Sequence, residues 1–187
     1  NPMQKPKRIA ILGPESTGKS TLAAALAAYF QEPWVPEVAR EYLEKLHRPY
    51  AFEDLLKIGR QQMQLEDELA GEAKSYLFCD TDLRVIQVWS LHRFGKIDPW
   101  VLKELERRSY DLILLCATDL PWQADPLREH PELEIREQLF EQYLQLAKRS
   151  GFSYQIIAGD TSERLRAAIE AVEYMDDRDY FRGTRGL

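Results

Sequence analysis

Eight consecutive residues, Gly13-Pro14-Glu15-Ser16-Thr17-Gly18-Lys19-Ser20, fit the pattern GxxxxGK[ST] at every fixed position. That spacing suits phosphate chemistry. The backbone N–H groups of a glycine-bounded loop can converge on phosphate oxygens, a lysine can offset the charge of the terminal phosphate, and the serine hydroxyl can ligate magnesium. Gly13, Glu15, Ser16, Thr17, Gly18, Lys19, Ser20 and Thr21 are therefore the expected nucleotide-binding residues, with Lys19 also stabilising the transferred group.

Carboxylates recur where such a loop needs them. Asp80 closes the apolar run Tyr76 to Asp80, the usual position of a group that orients hydrated magnesium opposite the loop serine, so Ser20 and Asp80 form the expected metal pair. Asp82 lies two residues on and is read either as a group that binds or deprotonates an acceptor hydroxyl or as the N-cap of the following helix. Glu37, at the end of a second short strand, is a candidate base or hydroxyl-binding carboxylate. Arg40, one helical turn later, is its orienting partner or else a plain surface ion-pair residue. After a fourth apolar strand the polar, proline-rich segment from Asp119 contains Trp122, Asp125 and Arg128, with Arg136 beyond it. Guanidinium groups brought in by a closing lid would stabilise charge spread over a migrating phosphoryl group, the alternative being arginines on a solvated helix face.

The elements that must position these groups alternate. Lys7 to Leu12 reads as strand, Lys19 to Phe30 as helix, Trp34 to Val38 as strand, Ala39 to Leu46 and Phe52 to Lys74 as helices, and Tyr76 to Asp80 as strand. Leu83 to Phe94 follows as helix, then a helix from Pro99 capped by Asp98, strand Tyr110 to Thr118, helix Glu132 to Arg149, strand Ser153 to Ala158 and helix Thr161 to Tyr174. Tyr143 and Leu146, at helical spacing, read as core. Such alternation predicts an α/β fold of three layers, a five-stranded parallel sheet between helices with ligands at the carboxyl ends of the strands. The whole of 1–187 is expected to form one P-loop domain, with a lid at about 119–136 and a charged, glycine-bearing tail at 175–187 that is free to move.

Composition narrows the partners. With 44% hydrophobic and 30% charged residues the chain reads as an ordinary globular protein, and no apolar run approaches the roughly 20 residues of a membrane helix. No secretory leader is seen at the N-terminus, so the cytoplasm is the expected location. A net charge of -6 without a basic stripe argues against nucleic acid. Cys79 and Cys116 lie in apolar runs and read as reduced packing residues, and His47, His92 and His130 lack metal-ligand spacing. Self-association is compatible with the sequence. Neither a DxxG nor an NKxD motif follows the relevant strands, which removes GTPases, and motor or AAA-type ATPases ordinarily need a longer chain. A compact kinase of small metabolites is left as the best P-loop class.

The sequence resembles the nicotinamide riboside kinase domain of the NadR family. The likeness rests on Gly-Pro-Glu-Ser-Thr-Gly-Lys-Ser-Thr at 13–21, Pro-Glu-Val-Ala-Arg-Glu-Tyr at 36–42, Asp-Thr-Asp at 80–82 and Leu-Pro-Trp-Gln-Ala-Asp-Pro-Leu-Arg at 120–128. It implies a nucleoside/nucleotide-kinase-like fold and transfer of the ATP γ-phosphate, with Mg2+, to the ribose 5'-hydroxyl of nicotinamide riboside. Glu37, Arg40, Asp82, Trp122 and Asp125 would then face the acceptor, whose pyridinium charge suits the face of Trp122; packing of a lid is the other reading of that residue. The chain carries Pro126 where the family pattern has glycine, and its P-loop begins at residue 13, so neither a DNA-binding nor an adenylyltransferase domain is expected before it. Kinases of another nucleoside or small metabolite, and a nucleotide-sensing regulatory ATPase, are the competing readings.

Overall fold

Four residues of the first strand, Ile9 to Leu12, have no solvent exposure, because this strand runs through the middle of a sheet covered on both faces. The computed structural model describes residues 5–15, 17–119 and 133–184, with side chains through residue 177. In chain order the elements are β1 (Lys7–Leu12), α1 (Lys19–Phe30), β2 (Trp34–Val35), α2 (Val38–Lys45), α3 (Phe52–Ala70) and β3 (Tyr76–Asp80). They continue with α4 (Leu83–Phe94), α5 (Pro99–Arg107), β4 (Leu112–Cys116), α6 (Leu133–Ser150), β5 (Tyr154–Ile157) and α7 (Thr161–Thr184).

The sheet has five parallel strands in the order β2-β3-β1-β4-β5, with Ile11 beside Asp80 on one side of β1 and Ile9 beside Leu112 on the other. Alternate residues of each strand feed two cores. Ile9, Ile11, Phe78 and Leu114 meet Leu22 and Leu26 of α1 and Ala168, Val172 and Met175 of α7. Ala10, Leu12, Leu77 and Leu115 meet Val88 of α4 and Leu139, Tyr143 and Ala147 of α6. A third cluster packs α2, α3, α4 and α5 together through Ala39, Leu55, Ile58, Leu83, Ile86 and Val101. Because β1 lies between β3 and β4, crossovers leave it in both directions and a crevice opens at its carboxyl end, where the glycine-rich loop begins.

Several boundaries differ from the sequence reading, each for a physical reason. β2 stops at Val35 because Pro36 cannot donate to a ladder, and Glu37 and Val38 already belong to the start of α2. Helix α3 ends at Ala70, before the Gly71 turn, and the expected strand over 110–118 shortens to Leu112–Cys116. The largest correction concerns the segment from residue 175, expected to be a free tail. It continues α7 to Thr184, with Met175 buried and the Asp176 carboxylate accepting bonds from Lys7 Nζ, at 2.8 Å, and from the Tyr76 hydroxyl. Residues 133–136, counted with the lid, form the first turn of α6. Cys79 and Cys116 are free thiols in the core, as expected. Among the described residues no helix is long and apolar enough to cross a membrane.

Candidate active site

The loop after β1 is shaped by two glycines and closed by one threonine. Gly13 has φ +152°, and a Cβ there would come within 2.8 Å of the Cys116 carbonyl oxygen, so only glycine lets the loop pass this close to the end of β4. Gly18, at φ +76°, makes the left-handed step into α1. Thr17, almost fully buried, donates from Oγ1 to the Pro14 carbonyl oxygen at 2.7 Å and ties the loop across itself.

α1 then delivers Lys19 and Ser20. Lys19 Nζ lies 3.4 Å from Glu37 Oε2 and 3.9 Å from Asp80 Oδ1. Burial alone would push this ammonium down, but the attraction of Glu37 and Asp80 outweighs it and holds its pKa above the ordinary lysine value. Ser20 Oγ donates to Asp80 Oδ2, which brings together the two residues read as a metal pair. Asp80 is 1% exposed, and its carboxyl is raised from the usual range first by burial and further by Glu37, with Lys19 and Ser20 opposing. Its Oδ1 has no hydrogen-bond partner. A buried carboxylate with one oxygen on a serine hydroxyl and the other unsatisfied fits a divalent cation held mainly by nucleotide oxygens and water, as magnesium prefers. Among the described residues no group of three or more His, Cys, Asp or Glu could hold a metal by itself.

Glu37 reaches the lysine because a third helix fixes its backbone. It is the residue before α2, and Gln62 of α3, 2% exposed, accepts from the Val38 N–H at 2.8 Å and donates to the Pro36 carbonyl at 3.0 Å. Gln62 thus clamps both sides of Glu37, a role nothing in its own neighbourhood of the sequence signals. Arg40, read as the orienting partner of Glu37 or as a surface ion-pair residue, is exposed on α2 with its guanidinium 3.7 Å from Glu44, and Lys19 lies beside the Glu37 carboxylate.

Asp82 caps α4. Its Oδ1 accepts from the Arg84 N–H at 2.8 Å and its Oδ2 pairs with the Arg84 guanidinium, which lies over the rings of Tyr110 and Phe152. With both oxygens bound to Arg84, the capping role weighed for Asp82 is the one the geometry favours. On α6, Arg136 is 3% exposed, and two turns further Tyr143 is buried as expected of core. Its phenol is nevertheless within electrostatic reach of the site: burial raises its pKa most, Lys19 lowers it, and Glu37, Asp82 and Glu15 raise it again. Thr21 lies exposed on the first turn of α1. Ser16, Trp122, Asp125 and Arg128 lie outside the described residues.

Arg164 of α7 escaped the sequence reading entirely. Only 3% exposed, it donates from Nη1 to the Thr17 carbonyl at 2.8 Å, from Nε to the Gly159 carbonyl at 2.8 Å and from Nη2 to the Ala117 carbonyl at 3.0 Å, and it pairs with Asp119. One side chain therefore locks the phosphate loop to the ends of β4 and β5.

A parallel sheet in this strand order, a complete phosphate-loop sequence and a lysine shared between the carboxylates of Glu37 and Asp80 define a P-loop domain of the small-kinase type. The chain belongs to the family described as AAA domain (AAA_28), whose model matches residues 8–164. Chain length had argued against AAA-type ATPases, and the match to a family of that description overturns the argument from length. The NadR proteins of Salmonella typhimurium (strain LT2) and Escherichia coli K12, each described as a trifunctional NAD biosynthesis/regulator protein, are 27% identical over 176 residues, which cover 90% of this chain. The chain spans 42% of the length of these relatives. A crystal structure of NadR with NAD and AMP-PNP superposes with a TM-score of 0.75 at 25% identity, covering 91% of this chain and 49% of that one. Thymidylate kinase from Ehrlichia chaffeensis shares the fold, with a TM-score of 0.63 at 15% identity, over 90% of this chain and all of its own.

Proposed function

We propose that this domain transfers the γ-phosphate of ATP to the ribose 5'-hydroxyl of nicotinamide riboside, giving nicotinamide mononucleotide. The observation that carries the reading is the placement of the Glu37 carboxylate 3.4 Å from the phosphate-loop lysine, at the strand edge where a kinase brings its acceptor. The likeness to the NadR relatives suggests the acceptor, and one NadR structure, solved in complex with NR, supports the fold on which that choice rests, with a TM-score of 0.75 at 22% identity.

Glu37, released when Lys19 turns to the terminal phosphate, accepts the proton of the attacking hydroxyl, and Lys19 neutralises charge on the transferred phosphoryl group. Ser20 and Asp80 would hold magnesium, which would supply neutralisation of phosphate charge when bound. Gln62 keeps Glu37 in place, and Arg164 ties down the end of the phosphate loop. Arg128 and Arg136 are assigned to the transition-state charge, and Trp122 with Asp125 to the acceptor's cationic ring.

Incubating the purified protein with ATP, Mg2+ and nicotinamide riboside, thymidylate or deoxyadenosine, with product masses read by chromatography and mass spectrometry, tests the proposal. Phosphorylation of the riboside with the highest kcat/KM is expected. Preference for another acceptor would reassign the substrate, and nucleotide binding without transfer to any acceptor would favour a nucleotide sensor.

A further inference from the structure

Two described non-glycine residues have a left-handed backbone, and they differ in kind. Gln31, at φ +55°, caps the C-terminus of α1, where such a conformation is routine. Thr81, at φ +85°, is β-branched and lies between Asp80 and Asp82, where its two Cβ substituents make the conformation costly. The surroundings enforce it. The Thr81 N–H donates to the Ile11 carbonyl at 3.0 Å, extending the β1–β3 pairing, and the next residue is already committed to capping α4.

The side chain carries a second cost. Thr81 is 4% exposed, and its Oγ1 has no hydrogen-bond partner. Among the described residues the buried side-chain oxygens without a hydrogen-bond partner are Asp80 Oδ1 and Thr81 Oγ1, neighbours in sequence at the edge of β3 that faces the phosphate loop. Strain and unsatisfied burial coinciding at one residue favour a ligand contact over packing, since valine would pack as well without the orphaned hydroxyl. We propose that Thr81 contacts the bound magnesium nucleotide, its hydroxyl donating to a phosphoryl oxygen or accepting from a metal-bound water beside Asp80. The inference rests on the P-loop kinase reading of the site, not on the identity of the acceptor.

The test compares the natural protein with Thr81→Val, which keeps the shape and removes the hydroxyl, and Thr81→Ser, which keeps the hydroxyl. Calorimetric titration with the ATP analogue AMP-PNP, with Mg2+ and again in EDTA, is read beside the ligand-free melting temperature. Thr81→Val is expected to melt at or above the natural temperature and to bind magnesium AMP-PNP about tenfold or more weakly, as for a lost bond to a charged group, while Thr81→Ser stays within about threefold. A deficit that vanishes in EDTA assigns the contact to metal-bound water, and one that persists assigns it to a phosphoryl oxygen. Unchanged affinity in Thr81→Val, or a loss of several degrees in its ligand-free melting temperature, would overturn the proposal. If the natural protein itself fails to bind AMP-PNP under both conditions, the P-loop reading fails along with it.

Discussion

Arg164 and Thr17 are 147 residues apart in sequence, yet the guanidinium of one donates to the carbonyl oxygen of the other at 2.8 Å. That bond ties the end of the phosphate loop to a helix at the far end of the domain. Arg164→Ala would strand three carbonyl groups and Asp119, a loss of about 3 kcal/mol. A fall of about 6–12 °C in melting temperature and weaker ATP binding are expected. Arg164→Lys should rescue little, because one ammonium cannot reach all four acceptors. Calorimetry and nucleotide titration check both, and full rescue by lysine would reduce the role to charge alone.

Lys19→Ala should lower kcat by about two to three orders of magnitude, the usual effect of removing a cation aimed at developing charge. Near-natural turnover from a folded Lys19→Ala protein would show that phosphoryl transfer occurs elsewhere.

Glu37→Gln and Asp82→Asn should separate chemistry from architecture. Glu37→Gln keeps the fold and is expected to reduce kcat about 10²–10⁴-fold with the KM for ATP little changed. Asp82→Asn weakens a helix cap and leaves the buried Arg84 guanidinium without its carboxylate, so its main effect should be on stability, about 1–3 kcal/mol in denaturant unfolding. Equal stability with lost turnover in Asp82→Asn would return that residue to the chemistry.

Asp80 supplies a pH test. Its folded-state pKa is raised above the ordinary carboxylate value, so folding favours its protonated form. Its contribution to stability is fully present below the unfolded pKa and is lost as pH rises through the folded one. The neutral mimic Asp80→Asn should therefore melt at or above the natural protein at pH 7, with the gap closing as pH falls past the ordinary carboxylate range. The same variant should lose magnesium dependence of nucleotide binding. A lower melting temperature for Asp80→Asn at pH 7 would show the Lys19 attraction outweighing burial.

What the sequence disclosed follows the reach of each interaction. The phosphate loop, the strand ending in Asp80 and the Asp98 cap of α5 are written in runs of a few residues, and the structure keeps their boundaries. Gln62 and Arg164 act on partners that only the sheet order brings near, so no local pattern marks them, whereas Tyr143, read as core from its helical spacing, is buried as expected. Arg40 shows how little spacing decides by itself: one helical turn from Glu37 allows an orienting contact or a surface ion pair, and Arg40 pairs with Glu44 while Lys19, arriving from α1, lies beside the Glu37 carboxylate. The unusual backbone of Thr81 is likewise set by β1 and α4, on either side of a tripeptide that reads only as Asp-Thr-Asp.

The contacts of Asp176 with Lys7 and Tyr76 have a consequence for biosynthesis. Within this domain β1 is made before its neighbours β3 and β4, and the helix that clasps its amino end is made after all three. A nascent chain halted before α7 would carry every residue of the phosphate loop and still lack Arg164, the side chain that ties down the end of the loop. Competence to bind nucleotide should therefore appear abruptly during translation, when α7 clears the exit tunnel, instead of accumulating strand by strand.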